Sequence, residues 1–214
     1  MSLANYSDLK TALASWAVRS DLTTQLDDFI DMAEAEFNRT LRTEQMITEA
    51  TLTLSSTSSS ANLPSDFLEV ESVSFTTSPR EINFVPRKQL QDQYATLSSG
   101  RPKVYSLRAP ATTGGVQRMI FGPAPDGAYT LTLSYYQQLP GLSTSNTTNW
   151  LMTKEPEAYL FCALSKGLSF IQDTERKAEI KAGWQEIKAQ LDSEDEGRKS
   201  GGSGTQVRTD LNVV

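Results

Sequence analysis

One change of period governs what this chain can fold into. From Leu22 to Leu41 apolar residues return every three or four positions, as Leu22, Leu26, Phe29, Ile30, Ala33, Phe37 and Leu41. From Ile47 they return every second position, and from Leu160 the longer spacing comes back. A period near 3.6 paints one stripe of a helix, and a period of two paints one face of a strand. The ends of the chain must therefore form helices and its middle a sheet.

Local signals fill in the elements. Ser7 is a suitable N-cap for a first helix carrying Leu9, Ala12, Leu13 and Trp16, with Asp8 near its positive end. Asp21 and Thr23 signal the start of a long amphipathic helix that the pattern carries to about Thr43. Its polar side bears Asp27, Asp28, Asp31, Glu34 and Glu36, which read as a solvated face. ATLTLSS, FLEVESVSF, INFVP, KVYSLR, VQRMIF and AYTLTLSYY predict six strands. The Ser-rich SSTSSSANLP reads as a loop, and PRKQLQDQY as a short helix with Pro86 near its start.

In AYTLTLSYY the residues Tyr129, Leu131, Leu133 and Tyr135 share a core face. Thr130, Thr132, Ser134 and Tyr136 share the opposite one, a wet hydroxyl-rich surface. Asp126-Gly127, inside GPAPDG, signals a tight turn between the strands on either side. That turn cannot cradle a phosphate, because Pro123 and Pro125 have no N–H to offer.

After Asn149-Trp150 the chain returns to helix, with Glu155 and Pro156 in the first turn. Leu160, Ala163, Leu164, Gly167, Leu168 and Ile171 fall on one face, and Cys162 beside them reads as a small core residue. Asp173 or Thr174 caps a fourth helix in which Ile180, Trp184, Ile187 and Leu191 recur, with Trp184 as a core or interface anchor. The expectation is an α+β protein: a four-helix bundle from 1–46 and 143–196, a mainly antiparallel β domain inserted at 47–142, and a flexible tail over 197–214.

Composition narrows the chemistry. The chain has 214 residues, one cysteine and no histidine. Ser-His-Asp and Cys-His systems are excluded, and zinc loses its usual nitrogen ligand. Neither a metal nor a cofactor is expected. Carboxylate pairs stay possible, for instance among Asp27, Asp28, Asp31 and Glu34. The net charge of −6, from 20 basic and 26 acidic residues, argues against sequence-specific DNA binding. No apolar run approaches the roughly 18 residues a membrane span needs, and MSLANYSDLK does not read as a signal peptide.

The tail has its own logic. Gly201, Gly202 and Gly204 make a joint, Arg198, Lys199 and Arg208 supply positive charge, and Leu211, Val213 and Val214 supply apolar anchors. Such a segment is built to order on a partner.

The succession YSDLKTALASW, AEAEFNRTLR, NLPSDFLEVESV, GRPKVYSL, FGPAPDGAYTLTLSYYQQLPGLS and TNWLMTKEPEAYLFCAL resembles the head–tail adaptor (connector) proteins of tailed bacteriophages. The likeness runs from about Tyr6 to Leu191. It implies a structural virion protein of the neck, assembled in the host cytoplasm and docked under the portal as a ring of usually twelve copies. It further implies a DNA channel through which the genome passes without sequence-specific binding, and a seat for the tail or nozzle protein. Family members send a C-terminal segment against the portal, a place that 197–214 matches, and the family brings no catalytic residues. Two other classes fit the same plan: a tail-completion or tube component, and a carboxylate-based glycan hydrolase. The last needs carboxyl groups about 5–5.5 Å apart across a cleft if it retains configuration.

Overall fold

The computed structural model describes residues 3–18, 22, 24–94, 96–110 and 115–199. Two compact units emerge. One takes in the chain up to Gln45 and again from Leu139, and the other runs from Met46 to Gln138.

The first unit holds helices α1 (Tyr6–Trp16), α2 (Leu26–Thr40), α4 (Trp150–Lys154), α5 (Pro156–Phe170) and α6 (Thr174–Lys199). Helix α5 is its hub. Nine of its residues are buried, including Tyr159, Cys162 and Leu168, and α1, α2, α4 and α6 each pack against it. Phe37 of α2 meets the Tyr159 ring at 4.9 Å and the Trp184 ring of α6 at 5.1 Å, both edge-on. These aromatic contacts make Trp184 a core anchor, 3% exposed.

Several helix ends differ from the sequence reading. Asn5, not Ser7, caps α1, its side chain accepting from the Asp8 N–H at 3.0 Å. Asp21 and Thr23 lie outside the described residues, and α2 begins only at Leu26, without a side-chain cap. It stops at Thr40, where Leu41 turns extended. The helix expected after Asn149 is two. Asn149 caps α4 by accepting from the Met152 N–H at 2.9 Å, and α5 restarts at Pro156, whose ring can only open a helix, not continue one. Asp173 caps α6, which runs on past Leu191 to Lys199.

The second unit has eight strands in two sheets: β1 (Ile47–Leu54), β2 (Ser60–Asn62), β3 (Phe67–Phe75), β4 (Ser78–Glu81), β5 (Asn83–Phe84), β6 (Val104–Arg108), β7 (Arg118–Gly122) and β8 (Tyr129–Gln137). Their orders are β1-β8-β3-β4 and β2-β7-β6-β5. Every pairing is antiparallel except β5 with β6. Leu52, Leu54, Val73, Phe75, Leu131 and Leu133 from one sheet meet Tyr105, Met119 and Phe121 from the other in a single apolar core. A short helix α3 (Arg87–Gln89), opened by Pro86, runs into a π turn over Leu90–Tyr94. Leu90 and Tyr94 pack with Val104 and Ile120 of the second sheet.

The register places the hydroxyl row of β8. Leu131 and Leu133 are fully buried, Thr130 is exposed, and Thr132 and Ser134 are half-buried. Thr51 and Ser74 lie opposite Thr132, and Glu49 and Ser72 opposite Ser134, so the row joins a polar surface across three strands. Tyr136 departs from it, being buried.

Two further expectations are corrected. The Ser-rich loop contributes β2, which takes its hydrogen bonds from β7. The Asp126-Gly127 turn joins no hairpin: β7 and β8 belong to different sheets, and Gly127 does not have the positive φ that a two-residue hairpin turn of this type requires. Gly122, at the head of the same stretch, is required for space. A Cβ there would stand 2.8 Å from that of Tyr94.

Candidate functional site

Two regions could meet a partner: the C-terminal end of α6 with the chain beyond it, and the second sheet with α3. Of the residues expected to contact a partner, Arg208, Leu211, Val213 and Val214, with the joint Gly201, Gly202 and Gly204, lie outside the described residues. Arg198 and Lys199 sit in the last turn of α6, where cations complement the helix dipole. They belong to the helix rather than to a tail beginning at 197. Lys199 pairs with Asp195 at 2.7 Å, and Lys154 with Glu194 at 2.5 Å. Asp195, 7% exposed, also accepts from the Glu44 N–H at 2.6 Å. Burial pulls the Asp195 carboxyl up, but the Lys199 ammonium and that N–H outweigh it and hold it below the usual aspartate range.

The acidic side of α2 is not the solvated face its pattern suggests. Asp28 and Asp31 are exposed, but three neighbours are tied down. Asp27 accepts from the Tyr6 hydroxyl at 2.7 Å and pairs with Lys10 at 2.6 Å. Glu36 pairs with Lys166 and accepts from the Trp184 indole N–H at 3.0 Å. Glu34 is 8% exposed and accepts from the Leu142 N–H at 2.7 Å and the Tyr159 hydroxyl at 3.2 Å. One turn further on, Asn38 accepts from the Leu139 N–H at 2.7 Å. Asp27 holds α1 and Glu36 holds α5 and α6, while Glu34 and Asn38 fasten the chain where it re-enters the helical unit. Gly141 leaves room for this, since a Cβ there would come within 2.9 Å of Glu34 Oε2. Burial raises the Glu34 carboxyl above its usual range, whereas Glu36 is held below its own because Lys166 and Trp184 outweigh burial. Cys162 is wholly buried, and burial pushes its thiol up to about 12, which removes it as a nucleophile.

The β unit has a different electrostatic character. All seven of its cations lie between positions 80 and 118, a stretch with only two carboxylates, Glu81 and Asp92. Its remaining residues hold five carboxylates and no cation. Arg108 and Arg118 are register partners on β6 and β7, and Ser106 stands opposite Ile120 two pairs along, on the same face. Between this sheet and α3 lies a cavity of about 240 Å³, lined by Arg87, Ser106 and Arg108 over an apolar floor of Leu90, Ile120 and Phe121. No group of three or more Asp, Glu, His or Cys among the described residues could hold a metal ion. No helix among them is long and apolar enough to cross a membrane.

A family profile decides the class: that of the SU10 adaptor protein matches residues 4–209, nearly the whole chain. The chain belongs to the SU10 adaptor protein family. No curated protein matches it. The resemblance to phage head–tail adaptors accords with this family, which makes the adaptor a structural component of a bacteriophage virion at the head–tail junction, with portal and tail proteins as its partners. The adaptor family points to a structural role. The tied carboxylates of α2 and the like-charged register partners of β6 and β7 were missed in the sequence. The only signal was the clustering of every β-unit cation within one stretch.

Proposed function

We propose that this adaptor docks as a ring beneath the portal, extends the DNA channel and seats the tail or nozzle protein. The family match over 4–209 carries the reading. The number of copies is set at twelve, and DNA passes without sequence-specific contact, in keeping with a net charge of −6. The portal contact uses Arg198 and Lys199 at the end of α6 together with Arg208, Leu211, Val213 and Val214, with Gly201, Gly202 and Gly204 as the joint. Buried apolar anchors, not charge alone, must offset the ordering of such a segment.

Negative-stain microscopy of the purified protein mixed with the portal of the same virus tests this. Rings stacked under the portal are expected; binding to tail components with none to portal overturns it. A chain ending at Lys199 should keep its helix content and lose most of its portal affinity. Undiminished docking would remove the C-terminal segment from the interface.

A further inference from the structure

We infer that the basic sheet of the β unit is a receptor for the acidic sheet of a second copy of this chain, in a head-to-tail contact. The inference rests on the ring reading for its biological setting but on separate observations for its residues. Directly paired residues of neighbouring strands stand about 5 Å apart, and like charges there are unfavourable. Arg108 and Arg118 are such a pair. Neither they nor Arg87 form an ion pair with any described residue. The Arg118 Nε is buried with no hydrogen-bond partner among the described residues. Ser106 is 3% exposed, faces the cavity, and its hydroxyl likewise has no partner among them. Three guanidinium groups and a recessed hydroxyl are thus assembled without any carboxylate to satisfy them.

The complement is on the other sheet. Glu49 lies opposite Ser134 on β1, and Glu71 is the extra residue of the bulge between Val70 and Ser72 on β3. Bulges re-aim side chains, and Glu71 is exposed. Strands β1 and β3 flank β8, which puts the two carboxylates about 10 Å apart, two strand spacings. Neither carboxylate forms an ion pair with a described residue, and the one cation in the strands of that sheet is Arg80, on the edge strand β4, whose pairing with β3 is at Ser74 and Phe75. A recessed cavity with an apolar floor admits a carboxylate side chain more readily than the phosphate ridge of a duplex. Because donor and acceptor surfaces differ, the contact is heterologous, the kind that closes into rings.

Two charge-reversed variants test the contact: R87E/R108E on the receptor side and E49K/E71K on the other. All four positions are exposed, so circular dichroism should match the wild type. In sedimentation velocity at low salt, wild type should self-associate weakly and each variant at least about tenfold more weakly. An equimolar mixture should recover wild-type association, since reversed receptor then meets reversed acid and native meets native. Variants that associate like wild type, a mixture that stays as weak as its components, or wild type with no self-association would each overturn it. Duplex DNA binding lost in R87E/R108E, with self-association intact, would overturn it in favour of nucleic acid. Failure here is separable from failure of the ring reading: variants that still ring on the portal sink this contact alone. A wild type that forms no ring yet obeys the mixing rule sinks only the other.

Discussion

Charged side chains in the helical unit meet one another, whereas the cations of the β unit pair with no described carboxylate. Lys10 pairs with Asp27, Lys166 with Glu36, Lys154 with Glu194 and Lys199 with Asp195. In the β unit no cation forms an ion pair with a described residue; six of its seven cations lie from Arg87 to Arg118, and Glu49, Glu69 and Glu71 lie on the other sheet. In the first case charge holds helices together. In the second, apolar contacts across the two sheets do most of the holding, and the charges used inside the fold meet aromatic side chains instead: Asp66 accepts from the Tyr135 hydroxyl, and Arg101 lies over the Phe75 ring. The difference has a measurable form: charge removal should cost stability in one unit and almost none in the other.

The largest effect expected concerns the apolar term itself. Leu131→Asp places an unpaired carboxylate where exposure is 0% and should unfold the β unit, seen as collapse of its dispersed amide resonances. Next comes Glu34→Ala, which strands the Leu142 N–H and the Tyr159 hydroxyl and should cost about 2–4 kcal/mol in urea denaturation. A loss below about 1 kcal/mol would show that the carboxylate does not fasten the re-entering chain.

Glu36→Gln should cost about 1–2 kcal/mol at neutral pH. Its folded carboxyl is held below the ordinary value, so this stability is complete above the unfolded value and disappears as pH falls through the folded one. The variant and wild type should therefore draw together as pH falls below the ordinary glutamate value of about 4.3. Glu34 runs the other way. Burial raises its carboxyl, with Asp31 adding repulsion against the bonds from Leu142 and Tyr159, so its stability contribution falls as pH rises from the unfolded value through the folded one. Glu34→Gln keeps an accepting oxygen and should gain relative to wild type on going from acid to neutral pH. Equal pH profiles for the two Gln variants would break the distinction between them.

The smallest effects belong to the β surface. Thr130→Asp should stay within about 1 kcal/mol of wild type and Arg108→Gln within about 0.5 kcal/mol, the latter relieving a like-charge pair. A clear destabilisation by Arg108→Gln would mean that this guanidinium is used inside the fold after all.

What could be read from the sequence follows the range of the interaction. The alternation of Leu131 and Leu133 with Thr130 and Thr132 is a local property of an extended backbone, and their burial follows it. Trp184 and Cys162 sat on helical stripes and are core residues for that reason. Asn5 in place of Ser7 was a choice between two competent caps two residues apart. Strand β2 was illegible because three residues carry no period, and its pairing comes from β7 almost sixty positions on. The duties of Glu34 and Glu36 were hidden for the same reason: their partners Leu142 and Lys166 are 108 and 130 positions away. The juxtaposition of Arg108 and Arg118 likewise exists only in the sheet register.

The bond from the Leu142 N–H to Glu34 has a consequence for how the gene can change. It closes a loop 108 residues long, and the entropy of closing such a loop grows only with the logarithm of its length. Doubling the intervening sequence would add only about 0.6 kcal/mol. What the helices require of an insert is that its outgoing end reach Asn38 and Glu34, not that it have any given size. Strands could therefore be added to or removed from the β unit, or the unit exchanged outright, at little cost in loop-closure entropy.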